Sequence, residues 1–166
     1  MYSDNHKKRI LIVEDEPDTR IFLVTLLRSS GFDLITTEGS ISGLASALSV
    51  HPDLIILDIM LANERGIQIY RSLKADRRLK DVPVILLSAI DHKTFFHYQR
   101  FQNVFPNLGI PRPDAYLEKP PEADELLRWV RTLTTAFGRG DRADRYERSR
   151  RGIGSSPNQS SRQQKP

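Results

Sequence analysis

The fold of this chain is decided by one stretch, PDLIILD at residues 52–58. Its centre is a run of four aliphatic side chains with no polar residue among them. Because a strand without polar alternation is covered on both faces, such a run is typical of a parallel sheet. Similar apolar runs occupy residues 10–13 and 82–87, and weaker strand patterns occupy residues 33–36 and 115–117. The sequence therefore predicts five strands.

Helical patterns separate these strands. Apolar residues recur at spacings of three and four in residues 17–29, 40–48, 66–75 and 122–137. Pro17 suits the first turn of a helix, and Gly31 suits a helix end. Strands that alternate with helices predict an α/β fold, a doubly wound parallel sheet with right-handed crossovers.

Length and composition limit the classes of function. The 166 residues suffice for one ordinary domain, and no apolar run approaches the roughly 20 residues that cross a bilayer. The polar N-terminus predicts no signal peptide. The absence of cysteine excludes disulfides, thiolate zinc sites and cysteine nucleophiles, and it suits a cytoplasmic protein.

Charge divides the chain into two parts. Residues 1–137 carry 17 basic and 18 acidic side chains, whereas residues 138–166 carry eight basic and three acidic ones. We therefore expect a nearly neutral domain at residues 8–137 and a basic tail at residues 138–166. The tail is rich in Ser, Gln and Pro, so we expect it to be partly helical at most and then disordered.

Acidic residues follow two of the predicted strands. Glu14 and Asp15 come after the first strand, and Asp58 ends the third. In an open parallel sheet of order 2-1-3-4-5, ligands bind beyond the carboxyl ends of the first and third strands. The three carboxylates would repel one another there unless a cation lay among them. Oxygen ligands with room for water and phosphate suit Mg²⁺.

Ser88 and Lys119 follow the fourth and fifth strands on the same side of the sheet. A hydroxyl and an ammonium are suitable partners for phosphoryl oxygens. With Asp58 as the nucleophile, the set predicts phosphoryl transfer. Each residue alone also has a simpler interpretation. Asp58 or Glu16 would cap a helix, and Lys119 would be a solvated surface lysine.

Four stretches together resemble the receiver domain of bacterial response regulators in two-component signalling. They are ILIVEDE at residues 10–16, PDLIILDIM at 52–60, VILLSA at 84–89 and YLEKP at 116–120. The resemblance covers residues 8–137. It implies the flavodoxin-like (CheY-like) fold, a five-stranded parallel sheet of order 2-1-3-4-5 in a three-layer sandwich.

The resemblance also implies roles for individual residues. Asp58 would be the phosphoacceptor for a sensor histidine kinase or a histidine phosphotransfer protein. Mg²⁺, or Mn²⁺ in its place, would be held by Asp15, Asp58, the carbonyl of Met60 and, through water, Glu14. The phosphoryl group would be contacted by Ser88, Ala89 and Lys119. Ser88 and Tyr116 would form the switch, and the Lys119–Pro120 bond would be cis.

Two regions depart from the family pattern. The loop that follows Asp58, residues 61–66, keeps its glycine but lacks the usual Met-Pro and second Asp. Apolar residues at Met60 and Ile90 suggest slow loss of phosphate. The 31 residues from Ser88 to Lys119 are more than most of the family has there. This extension, residues 91–113, carries an aromatic stripe formed by Phe95, Tyr98, Phe101 and Phe105. The stripe either packs on the core or offers a surface to a partner or a second copy.

The main hypothesis is a single-domain response regulator that signals through protein–protein contacts. It would not be an enzyme beyond assisting its own phosphorylation and dephosphorylation. Three alternatives remain: a scaffold receiver that takes no phosphate, a nucleic-acid-associated protein that uses the basic tail, and a hydrolase with an Asp nucleophile. Such hydrolases keep a second Asp where this chain has Met60.

Overall fold

The structure is a computed structural model that describes residues 7–59, 65–95 and 111–136. Several sequence predictions fall outside the described residues. These are the carbonyl of Met60, the first part of the loop after Asp58, the stripe residues Tyr98, Phe101 and Phe105, and the basic tail.

Nine helices and strands fill the described ranges in the predicted alternating order. The strands are β1 (Arg9–Val13), β2 (Asp33–Thr37), β3 (Leu54–Asp58), β4 (Val84–Ser88) and β5 (Ala115–Glu118). The helices are α1 (Pro17–Ser29), α2 (Ser40–Val50), α3 (Arg65–Ala75) and α4 (Ala123–Ala136). A further helical turn begins at residues 92–95. The bounds differ from the predicted ones by no more than two residues.

The five strands form one parallel sheet in the order β2-β1-β3-β4-β5. This confirms the predicted fold class and strand order. In the register between β1 and β3, Val13 pairs with Leu57. The residues that follow each of them, Glu14 and Asp58, are therefore neighbours at the carboxyl edge of the sheet.

Both faces of the sheet are buried, as the unbroken apolar runs predicted. One core cluster, beneath α2 and α3, includes Leu11, Val13, Ile55, Leu57, Val84, Leu86, Ile69 and Leu73. The other, beneath α1 and α4, includes Ile10, Ile12, Leu54, Ile56, Ile85, Leu87, Leu23, Leu27, Leu126 and Val130. The strands β1, β3 and β4 contribute alternate residues to the two clusters, which gives a three-layer sandwich.

The ends of α1 follow the sequence signals. Pro17 is its first residue, and Gly31 lies beyond its end with φ +91°, where its N–H donates to the Arg28 carbonyl at 3.1 Å. Glu16 occupies the N-cap position, but its side chain makes no capping hydrogen bond. The helix-capping interpretation of Glu16 is therefore wrong, and its carboxylate instead accepts the Thr19 hydroxyl at 2.6 Å.

Gly66 brings the first turn of α3 against the backbone of the phosphoacceptor candidate. A Cβ atom at this position would lie 2.5 Å from the Asp58 carbonyl oxygen and 2.7 Å from the Ile59 carbonyl carbon. These distances are far shorter than van der Waals contact, so only glycine fits. The first turn of α3 therefore packs directly against the backbone at the end of β3.

In the part of the chain that the structure describes, no helix combines the length and apolar character that a membrane span requires.

Candidate functional site

Three carboxylates meet at the carboxyl edge of the sheet. Glu14 and Asp15 leave β1, and Asp58 ends β3 next to it. One oxygen from each of the three side chains lies within 4.8 Å of the others. Glu14 and Asp58 are buried, with 0% and 2% of their surface exposed. The strand-end pattern thus predicted a convergence that the structure shows.

Lys119 reaches into this carboxylate cluster. Its Nζ lies 2.9 Å from Asp58 Oδ2 and 2.8 Å from Glu14 Oε2, with only 12% of its side chain exposed. Glu16 Oε2 is 3.5 Å from the same ammonium. The interpretation of Lys119 as a solvated surface residue is therefore wrong. The peptide bond between Lys119 and Pro120 is cis, as the resemblance implied.

The cluster perturbs the titration of its members. Burial raises the pKa of Glu14 to about 7, and nearby Asp58 adds to the rise, while Lys119 and the Glu16 N–H oppose it. Burial alone would lower the pKa of Lys119, but the Glu14 and Asp58 carboxylates outweigh it, so that pKa is raised. The site therefore holds negative charge that its single buried ammonium only partly compensates.

The donor set fits a hard divalent cation. The side-chain ligand atoms offered within the described residues are carboxylate oxygens, which Mg²⁺ prefers, and few are offered, which leaves room for water and phosphate oxygens. Glu14 Oε2 is buried and makes no directed hydrogen bond within the described residues. Its contact with Lys119 has only the geometry of an ion pair. A buried oxygen of this kind is suited to a cation.

Ser88 closes the site from β4. It is fully buried, and its Oγ accepts the Ile90 N–H at 3.0 Å. The hydroxyl proton can serve a second bond, and Ser88 hydrogen-bonds the Tyr116 side chain. The Lys119 N–H donates to the Ser88 carbonyl at 2.8 Å, which ties the chain at Lys119 to the end of β4. Ala89, the next residue, is exposed at the mouth of the site.

Tyr116 connects the site to the start of the extension. Its hydroxyl donates to the Ile90 carbonyl at 2.6 Å, and its ring stacks on Phe95 with centroids 4.9 Å apart. The ring of His92 meets it edge-on at 5.5 Å. Phe95 is 3% exposed, so core packing holds for this member of the aromatic stripe. Burial raises the pKa of Tyr116, against a hydrogen bond with Ser88.

Sequence reasoning missed two contributors. One is the contact of Glu16 with Lys119 described above. The other is Arg20, whose Nη1 donates to the carbonyls of Glu14 at 3.0 Å and Asp15 at 3.4 Å. Its Nη2 pairs with Glu38 Oε1 at 2.9 Å. The available signal was a cation one helical turn after the acidic pair.

Comparison with known proteins places this geometry in a family. The family profile described as "Response regulator receiver domain" matches residues 10–131. The DNA-binding dual master transcriptional regulator RpaA of Synechocystis sp. is 33% identical over 125 residues, which are 75% of this chain and 48% of RpaA. The phosphate regulon transcriptional regulatory protein PhoB of Pseudomonas aeruginosa is 31% identical over 134 residues, 81% of this chain and 55% of PhoB. The chain thus spans about half the length of these relatives.

Solved structures agree on the fold. The crystal structure of a putative response regulator from Chloroflexus aurantiacus superposes with a TM-score of 0.66 at 21% identity. The match covers 78% of this chain and 99% of that one. The matched profile, the relatives and the strand order agree, and the chain belongs to the receiver domains of two-component response regulators.

Proposed function

We propose that Asp58 accepts a phosphoryl group from a sensor histidine kinase or a histidine phosphotransfer protein, in a reaction that depends on Mg²⁺. One observation carries the proposal. The buried Asp58 carboxylate lies 2.9 Å from Lys119 Nζ and beside the carboxylates of Glu14 and Asp15, at the edge of the sheet where ligands bind.

The reaction is a nucleophilic displacement at phosphorus. An Asp58 carboxylate oxygen attacks, a P–O bond forms, and the P–N bond of the donor phosphohistidine breaks. The electron pair of that bond remains on the histidine nitrogen, which takes up a proton. The product is an acyl phosphate on Asp58.

The metal would be held by Asp15, Asp58 and the carbonyl of Met60, with Glu14 acting through water. When bound, Mg²⁺, or Mn²⁺ in its place, supplies charge neutralisation for the phosphoryl oxygens. Burial gives the Glu14 and Asp58 carboxylates a low-dielectric setting in which this neutralisation is worth more than at an open surface.

Three groups would bind the transferred phosphoryl group. Lys119 Nζ already lies beside the attacking carboxylate, and it would exchange that contact for one with a phosphoryl oxygen. The Ser88 hydroxyl retains a proton to donate, and Ala89 would offer its N–H at the mouth of the site. These positioned donors are the chain's own contribution to catalysis of its phosphorylation.

The signal would leave the site through Ser88 and Tyr116. The Tyr116 hydroxyl donates to the Ile90 carbonyl, and the Ile90 N–H donates to Ser88 Oγ. Movement of Ser88 toward a phosphoryl group would therefore disturb the hydrogen bond of Tyr116. We propose protein–protein contacts as the output of a cytoplasmic domain that spans residues 8–137, with a homodimer as one form of that contact.

The test uses a small phosphodonor. The protein is incubated with phosphoramidate and Mg²⁺, and intact mass is measured. We expect the gain of one phosphoryl group, which is lost with a chelator and in Asp58→Asn. Asp53→Asn is a matched control, since Asp53 is a buried carboxylate directly before β3, at the opposite end of the strand from Asp58, and it should still gain the group.

Two results would contradict the proposal. A wild-type protein that gains no mass would leave a scaffold receiver as the function. A gain that persists in Asp58→Asn would move the acceptor to another residue. Lys119→Gln and Ser88→Ala should both accept the group more slowly than wild type if their proposed contacts form.

A further inference from the structure

Arg20 lies behind the acidic pair rather than in the pocket. It is the fourth residue of α1, and its guanidinium faces the peptide carbonyls that follow β1. Nη1 donates to the Glu14 carbonyl at 3.0 Å and, with longer geometry, to the Asp15 carbonyl at 3.4 Å. One arginine side chain thus holds the main chain of both Glu14 and Asp15, the two residues after β1 that offer carboxylates to the site.

Glu38, which follows directly on β2, forms an ion pair with the same guanidinium. Its Oε1 lies 2.9 Å from Arg20 Nη2. The Arg20 side chain is only 21% exposed, whereas that of Glu38 is 70% exposed. Arg20 therefore bridges the carboxyl end of β2 and the connection from β1 to α1. At the same edge of the sheet, the Glu14 N–H donates to the carbonyl of Thr37, the last residue of β2, at 3.2 Å.

From this geometry we propose that Arg20 is a positioning residue, which orients Glu14 and Asp15 toward a bound divalent cation. The inference rests on the metal site of the proposed function. The planar guanidinium offers several donors in a fixed fork, so it can bond two carbonyls and one carboxylate together. A lysine ammonium at the same place has the charge without the fork.

The sign of the effect separates positioning from simple electrostatics. A positive charge next to a cation site repels the cation, so removal of Arg20 by electrostatics alone would tighten binding. Loss of positioning would weaken it instead. Substitution of groups that orient metal ligands from outside the coordination shell typically lowers affinity about 10–100-fold.

The experiment titrates the protein with Mn²⁺ and measures free Mn²⁺ by electron paramagnetic resonance. The variants are Arg20→Lys, Arg20→Met and Glu38→Gln. Arg28→Met is the matched control, an exposed arginine in the last turn of the same helix. Circular dichroism and thermal unfolding of each variant show that it is folded.

We expect both Arg20 variants to bind Mn²⁺ about 10–100-fold more weakly than wild type. Glu38→Gln should weaken binding less, because the carbonyl contacts remain, and Arg28→Met should not change it. The initial rate of phosphorylation by phosphoramidate should recover toward the wild-type value at saturating Mn²⁺, since Arg20 does not touch the reacting atoms.

Three outcomes would overturn the inference. Tighter Mn²⁺ binding in Arg20→Met would leave only an electrostatic role, and unchanged binding would leave no role. Wild-type affinity in Arg20→Lys would show that the fork of guanidinium donors is not needed. A wild-type protein that binds no Mn²⁺ would remove the proposed metal site together with this inference, whereas the first two outcomes leave that site intact.

Discussion

The two ends of the parallel sheet both contain charged side chains, but they use them differently. At the amino end, the main chain takes up the charge. Asp53 Oδ2 accepts the Arg9 N–H at 2.9 Å, and Asp114 Oδ2 accepts the Val84 N–H at 2.8 Å. Each carboxylate thereby satisfies the N–H of a residue at or beside the start of a strand, where such groups would otherwise be unpaired.

Lys74 extends the same arrangement. Its side chain is 5% exposed, and its Nζ donates to the carbonyls of Val82 at 2.9 Å and Lys80 at 3.2 Å, with Asp114 at 3.9 Å. Nearby, the Tyr70 hydroxyl donates to the Pro111 carbonyl at 2.7 Å. These polar groups join α3 to the segments that enter β4 and β5.

At the carboxyl end, two buried carboxylates share one ammonium, whereas the ion pair of Arg9 with Asp33 at the amino end is partly exposed. Glu14 and Asp58 crowd around the single ammonium of Lys119, and Glu14 keeps one buried oxygen without a directed bond within the described residues. Buried charges are costly unless they are paired and hydrogen-bonded. The amino end therefore stabilises the fold, while the crowded charges of the carboxyl end cost stability, as expected of the proposed cation and phosphoryl site.

The largest expected effect comes from glycine replacements. Gly66→Ala places a Cβ against the backbone of Asp58 and should cost about 3 kcal/mol in urea unfolding, as well as slowing phosphorylation. Gly43→Ala is the control. Its Cβ meets side-chain atoms alone, those of Val13 at 3.0 and 3.2 Å and the Thr37 hydroxyl at 3.7 Å, and the better helix propensity of alanine offsets these contacts to within about 1 kcal/mol. Equal losses of unfolding free energy in both variants would contradict the close approach of Gly66 to the backbone of Asp58.

Replacement of one buried carboxylate at each end by its isosteric amide should change the free energy of unfolding in opposite directions. In metal-free protein at pH 8, Glu14→Gln should raise the free energy of unfolding by about 1–2 kcal/mol, because it removes a desolvated charge. Asp53→Asn should lower it by about 1 kcal/mol, because a charge-assisted bond to the Arg9 N–H becomes a neutral one. Urea unfolding measures both, and changes of the same sign would show that the two ends do not differ as described.

A single hydroxyl can be removed at each end. Tyr70→Phe loses the bond to the Pro111 carbonyl, and Tyr116→Phe loses the bond to the Ile90 carbonyl. Each should cost about 1 kcal/mol of stability. Phosphorylation should change the amide chemical shifts near Ser88 in Tyr70→Phe as it does in the wild type. In Tyr116→Phe those changes should differ from the wild-type ones. An altered response in Tyr70→Phe would mean that the amino end also takes part in the switch.

The smallest effect is a pH dependence at Lys74. Burial lowers the pKa of Lys74 below its ordinary value of 10.5, against Asp114 and Asp81. Between the lowered value and 10.5 the unfolded chain binds more protons, so this residue makes the free energy of unfolding rise with pH. Lys74→Met should lack that rise at pH values below 10.5. A wild-type slope no steeper than that of the variant would rule out the lowered pKa.

Much of the fold was predictable because the signals are local. The unbroken apolar runs specify strands that are buried on both faces, and Pro17 and Gly31 mark the ends of α1. The convergence of Glu14, Asp58 and Lys119 was predictable too, because the carboxyl ends of parallel strands share one edge.

The contacts that sequence reasoning missed depend on the reach of long side chains between elements. A cation one helical turn after the acidic pair is a signal near the site, but it does not specify that the Arg20 guanidinium bonds the carbonyls of Glu14 and Asp15 and also meets Glu38. Lys74 resembles any solvated helix lysine until β4 and β5 are placed beside α3. Side-chain contacts of this type follow from the assembled layers, not from periodicity.

The register between β1 and β3 has a consequence for folding. Ile10 pairs with Leu54, so residues far apart in sequence must find each other before Glu14 and Asp58 become neighbours. A slip of one residue would turn the apolar side chains of the strand to the opposite face, and the pocket would not form. Because contacts between distant residues are slow to form, the proposed phosphorylation of Asp58 can begin no earlier than this long-range step. If the proposal holds, the onset of phosphorylation during refolding would report when the two central strands pair.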